Sequence, residues 1–223
     1  MAEDGDNLKN YTVQQGDFVS KLAARFGFSD FRAIWDHPQN QKLKQERKSP
    51  NLLAPGDTLA IPEKESRTAS CTTDAEHKFT LLKKPLKLRL VIKDMTGAAV
   101  AGKSCDVRVT GSTDVAGLST DGSGLVQRDI AADANEGKLM LKDAGVPIDI
   151  QLDLRVGHLD PIDKITGWKG RLNSLGYDAG ELNADETLQL KSAVEEFQCD
   201  HKLHVDGVCG PQTQAKLKEV HGC

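Results

Sequence analysis

Aromatic residues are scarce in this chain, at 4% of 223 positions, and rings supply much of the area in a deep apolar interior. That scarcity argues against one large enzyme-like core. It predicts two or three small modules within the usual range of roughly 50 to 200 residues each. Excess basic charge is missing too: 29 Lys and Arg stand against 33 Asp and Glu, for a net charge of −4. No nucleic-acid or anionic-membrane partner is therefore expected from bulk electrostatics. No stretch approaches the roughly 18 apolar residues that span a bilayer, so no membrane span is expected. The opening MAEDGDNLKN carries neither a basic region nor an apolar run, which predicts cytoplasmic synthesis without a classical secretory signal.

Patterns for catalysis are also lacking. No paired-histidine metal motif, nucleophile elbow or phosphate-cradling glycine loop stands in the sequence, and small modules leave little room for a water-excluding site. We expect no enzyme, no catalytic residue and no cofactor. Cys199, His201, His204, Cys209, His221 and Cys223 are residue types that suit zinc, but their spacing is irregular, and ordinary thiols and surface histidines are expected instead of a metal site. The five cysteines are an odd number. A reducing compartment fits this, and a single late bridge, Cys199 to Cys209 or Cys209 to Cys223, stays open.

What the chain does contain is punctuation. In YTVQQGDFVSKLAARFGFSD, Tyr11 and Val13 alternate as in a strand, and Val19, Leu22, Ala23 and Phe26 then recur at helical spacing. Gly16-Asp17 forms the turn between them, with Asp17 expected to cap the helix and Gly27 to stop it. Ser29 is the expected cap of a second short helix that carries Ile34 and Trp35 and ends before Pro38. NQKLKQERKSP then loses all apolar period. Strand character resumes in LLAPGDTLAIP, with a turn at Pro55-Gly56 and Leu59 and Ile61 on one face. The expected order is strand, helix, helix, strand.

YTVQQGDFVSKLA and NLLAPGDTLAIP together resemble a LysM domain over residues 10–63, with Phe18 and Val19 where that family usually has threonine and leucine. The resemblance implies a βααβ module that binds N-acetylglucosamine-containing glycans. It places the glycan groove between Gly16, Asp17, Phe18, Val19 on one side and Asn51, Leu52, Leu53 on the other, where main-chain amides can meet the acetamido groups of a sugar.

Residues 1–9 are read as a tail, and ESRTASCTTDAE lies in a linker spanning 64–76. From 77 to 160 the chain reads as β. FTLLKK, LKLRLVIKD, CDVRVTG, GLVQRDI, GKLMLKD and IDIQLDLRVG are separated by turn clusters, and TDGSGLVQRDI is similar to the turns of small immunoglobulin-like or carboxypeptidase-regulatory-like sandwiches. From 161 to 223 the period is helical: Trp168, Leu172 and Leu175, then Leu190, Ala193, Val194 and Phe197 behind an expected capping box at Asn183 and Glu186, then a helix opened by Pro211. GRLNSLGY, AVEEFQ and VDGVCGPQTQAKL resemble the three-helix peptidoglycan-binding domain. The resemblance implies ligand-binding positions at Tyr177, Leu203, Asp206, Gly207, Gly210 and Thr213.

The expected fold class is thus a multidomain α+β chain: a LysM module, a central all-β immunoglobulin-like sandwich and a three-helix peptidoglycan-binding module. The expected partner is peptidoglycan or a related amino-sugar polymer, bound by two weak modules acting together. The domain order, with the phrases IWDHPQN and PNLLAPGD, also resembles accessory proteins of contractile, type VI-like secretion machines. That implies spike or tube proteins as alternative partners, and a route to the cell wall or periplasm. A groove roofed by the neighbouring module would favour the scaffold alternative.

Overall fold

The computed structural model describes residues 8–64, 70–78, 86–142 and 149–223. The expected strand FTLLKK and part of the expected linker lie outside the described residues. By internal packing the chain divides into Met1–Gly157 and His158–Cys223.

In the N-terminal module, strand β1 (Lys9–Thr12) pairs antiparallel with β2 (Thr58–Ile61), from Lys9↔Ile61 to Thr12↔Thr58. Helices α1 (Val19–Arg25) and α2 (Arg32–Trp35) follow β1. A short 3-10 turn, Pro38–Asn40, then leads into α3 (Gln41–Arg47). The third helix corrects the expected βααβ order. Its period was invisible because only Leu43 on it is buried; lysine, glutamine, glutamate and arginine form helices well without an apolar stripe. Leu22, Ile34 and Leu59 meet in the core with no exposed surface.

Both Gly-Asp turns are built alike. Gly16 and Gly56 take φ of 84° and 92°, values that only glycine adopts at little cost. Asp17 Oδ2 accepts from Gln14 N at 3.0 Å, and Asp57 Oδ2 accepts from Ala54 N at 2.9 Å. Val13 then locks one turn to the other, donating to the Asp57 carbonyl at 2.8 Å and accepting from Gly56 N at 2.9 Å. Asp17 therefore closes its own turn and does not cap α1, whose N-cap is Phe18 with no side-chain bond. Ser29 likewise caps nothing: Phe31 precedes α2, and Asp30 Oδ1 accepts from Arg32 N.

The middle segment folds into two antiparallel sheets. β3 (Leu86–Val91) pairs with β6 (Leu125–Ile130). β5 (Val115–Ser119), β4 (Ser104–Val109), β7 (Glu136–Leu141) and β8 (Ile150–Arg155) form the second, in that spatial order. Strand β5 was not expected, because Gly117 and a register shift opposite Cys105 and Val107 blur its alternation. The sheets share one core of Val107, Leu139 and Leu141 against Val126 and Ile130. Arg128 occupies an inward position between the last two, and its guanidinium donates to the Val107 and Thr113 carbonyls. A charge there ties β6 to the opposite sheet because each of its three nitrogens donates to a carbonyl, the third being Nε to Asp129 O.

The C-terminal unit holds α4 (Ile165–Ser174), α5 (Leu188–Asp200) and α6 (Pro211–His221) around Leu172, Phe197 and Leu217. Thr187, not Asn183, caps α5 by accepting from Leu190 N at 3.1 Å. Asn183 instead accepts from Lys169 Nζ at 2.7 Å. No described helix is long and apolar enough to cross a membrane.

Candidate functional site

The two segments expected to flank an N-terminal groove do meet, since Val19 N donates to the Pro50 carbonyl at 2.9 Å. What they enclose is mostly filled. Gly16, Asp17, Phe18, Val19 and Leu53 are buried, Leu52 is half-buried, and Asn51 alone of the set is exposed. Val19 and Leu53 belong to the module's apolar core. Among the main-chain amides expected to face a sugar, that of Asp17 donates to Gln14 O at 3.1 Å and that of Val19 to Pro50 O. Tyr11 adds a polar edge: its hydroxyl donates to Asp17 Oδ2 at 2.8 Å and accepts from Arg25 at 3.1 Å. Burial and the carboxylate raise the Tyr11 pKa. A shallow depression of about 570 Å³ lies elsewhere on the module, lined by Asn10, Lys42, Leu43, Glu46 and Thr58 among others, and shares no residue with the expected groove.

In the C-terminal unit the run from Leu203 to Thr213 is organised by a residue that the motif did not single out. Gln198 is 1% exposed. Its amide nitrogen donates to Asp206 Oδ1, Val208 O and Thr213 Oγ1 at 2.8, 3.1 and 3.0 Å, while its oxygen accepts from Asp206 N and Gly207 N, both at 3.0 Å. Its position, four residues beyond Val194 on the apolar stripe, was the available signal: an amide where a hydrophobe belongs needs internal partners. Asp206 also accepts from Val208 N, and these bonds hold its carboxyl below the usual range. Thr213 is buried and Leu203 half-buried, while Gly207 takes φ of 69° and Gly210 opens α6. Tyr177 stands edge-on to Phe197 at 5.4 Å and donates to Asp200 at 3.0 Å; burial, then Asp200, push its pKa up to about 12.

Val208 in this loop is 61% exposed, and Leu188 at the start of α5 is 85% exposed. Gly207 lies over Lys191 and Glu195 on the face of α5 that begins at Leu188, since a Cβ there would meet Lys191 Cγ at 2.7 Å and Glu195 Oε1 at 2.9 Å.

The cysteine and histidine set does not converge. Cys209 is buried, and burial pushes its thiol up to about 12. His201 lies against Phe197 at 4.4 Å with the rings tilted by 50°, and His204 faces Asp206 at 3.5 Å. Cys199, Cys209 and Cys223 are thiols, without the bridge left open by the sequence. Among the described residues no three such side chains gather as metal ligands.

His221 approaches Cys223 Sγ at 3.1 Å, and burial, then the nearby Arg171 guanidinium, lower its pKa to about 4. Because the folded chain binds that proton less readily than the unfolded one, the contribution is complete above about pH 6.5 and is lost as pH falls toward 4. His221→Asn should remove about 1–3 kcal/mol of the stability difference between pH 7 and pH 4.5. Thermal melts of both proteins at the two pH values test this, and parallel losses would refute it.

Comparison with known families bears on both ends. Residues 11–33 match the model of the LysM domain, and residues 166–217 match a model described as "Putative peptidoglycan binding domain". No curated protein and no solved structure matches the chain. The chain thus carries two regions similar to cell-wall-binding domains, and they support peptidoglycan binding. The LysM match stops at Ala33, whereas β2, which completes that module's sheet, lies at Thr58–Ile61.

Proposed function

We propose that the chain is a non-catalytic peptidoglycan-binding protein acting at the cell wall or periplasm, with its two wall-binding modules joined through the sandwich. The observation that carries this reading is the presence of two separate matches to wall-binding domains on one chain, at 11–33 and 166–217. Two weak sites on one polymer bind far better than either alone when both can reach it. Co-sedimentation with purified sacculi tests it. The full chain is expected to pellet, and deletion of 158–223 is expected to weaken binding by about tenfold or more. Release of muropeptides during incubation would replace this reading with an enzyme.

One observation favours a second reading. The Gly16–Val19 turn is buried against protein, which suits an adaptor of a contractile, type VI-like machine whose LysM module contacts protein. No pelleting, together with capture of a spike or tube protein, is the outcome expected of that adaptor.

A further inference from the structure

Phe18 is 5% exposed, yet it is absent from the apolar core that Val19, Leu22 and Leu53 build in its own module. What covers it is the sandwich. A Cβ placed on Gly157, just beyond β8, would come within 2.7 Å of Phe18 Cδ1 and 2.9 Å of the Gly16 carbonyl oxygen. Gly157 also takes φ of 78°, so glycine is required there both for the backbone turn and for the close approach. A second tie lies beside the first: the Lys21 ammonium donates to Gly16 O at 3.0 Å and to Asn135 Oδ1 in the β6–β7 turn. Val156 N donates to the Asn135 carbonyl at 2.7 Å. Asn135 and Gly157 therefore form one continuous rim of the sandwich. That rim rests on the Gly16–Val19 turn, the side of the groove on which a LysM sugar site depends.

We propose that the sandwich rim is a lid on the amino-sugar groove of the N-terminal module, so that sugar and sandwich compete for the Phe18 face. The inference rests on the wall-binding reading and adds its regulation. With the lid seated the groove presents Asn51 and half of Leu52; a sugar reaches the rest only in molecules whose modules have parted. Apparent affinity is then the intrinsic affinity scaled by the open fraction. A polymer held first by the C-terminal module can shift this equilibrium, because it raises the local concentration of sugar at the groove.

The test uses the full chain and an N-acetylglucosamine hexamer, titrated by calorimetry. Gly157→Val puts branched carbons where Phe18 lies, and the unstrained pair Lys21→Ala with Asn135→Ala removes the polar tie should the valine variant fold poorly. Opened variants are expected to bind the hexamer about tenfold more tightly than the parent chain, with faster amide exchange at Gly16 to Val19. Asn135→Asp allows a carbodiimide to join the Lys21 amine to the new carboxylate, and the resulting cross-linked peptide can be mapped by mass spectrometry. The locked protein is expected to lose hexamer binding that the uncoupled Asn135→Asp protein retains. Equal affinities in parent, opened and locked proteins overturn the lid, as does an absent cross-link or an opened variant that binds no hexamer. Sacculus pelleting of the locked protein separates the two ideas: if it persists, wall binding stands whatever becomes of the lid.

Discussion

The Asn40→Ala chain is expected to lose about 3–5 kcal/mol of stability in its N-terminal module, enough to unfold a unit of that size near body temperature. Asn40 is 1% exposed. Its amide nitrogen donates to the Ile34 carbonyl at 2.8 Å and the Ala60 carbonyl at 2.7 Å, and its oxygen accepts from Ala60 N at 2.8 Å. One side chain thus joins the end of α2 to strand β2 across 20 positions. Alanine leaves the Ala60 carbonyl and amide buried without the side-chain partners they have here, each at a cost of about 1–3 kcal/mol, and removes one of the two donors to the Ile34 carbonyl, which keeps His37 N at 3.2 Å. Leucine would fill the space but repair none of them, so Asn40→Leu should be no better. Fluorescence of Trp35, buried in this module, reports the melt in a Trp168→Phe background. A midpoint within about 2 °C of the parent would sink the argument.

Gln198→Ala should have a comparable effect on the C-terminal unit, at about 3–4 kcal/mol, through the loss of five hydrogen bonds to Asp206, Gly207, Val208 and Thr213. The consequence reaches beyond stability. The loop from Leu203 to Gly210 is shaped around that amide, so amide exchange at Asp206 and Gly207 should accelerate and the wall affinity carried by this unit should fall with it. Gln198→Glu discriminates between lost volume and lost donors. It preserves shape and acceptors but cannot donate to Val208 or Thr213, and it sets a second carboxylate against Asp206. If it proved as stable as the parent at pH 7, the network would not be what holds the loop.

Much of the architecture was legible from local pattern. The Gly-Asp turns could be read because glycine and the carboxylate act within three positions of each other: Asp17 on Gln14, Asp57 on Ala54. Helices α4 and α5 could be read because Trp168, Leu172 and Leu175, and then Leu190, Ala193, Val194 and Phe197, recur at helical spacing along each stretch and face one core. The reading failed where an element owes its place to partners far along the chain. Helix α3 carries one buried residue and is held by Arg47, whose guanidinium makes two 2.8 Å bonds to Asp57. Ser29 and Asn183 were plausible caps in isolation, but capping depends on where the first helical turn begins, and α2 and α5 begin further on, at Arg32 and Leu188.

The groove shows the same division most sharply. Gly16, Asp17, Phe18 and Val19 stand together by sequence alone, as do the two module types and the turns that frame them, because those features arise from interactions over a few positions. That Phe18 would lie beneath Gly157, and that Lys21 would reach Asn135 across 114 positions, was decided only when separate sheets and helices packed. Local rules set which conformations a segment favours. Burial of a ring or an ammonium depends on the surface brought against it, and that surface exists only in the folded chain.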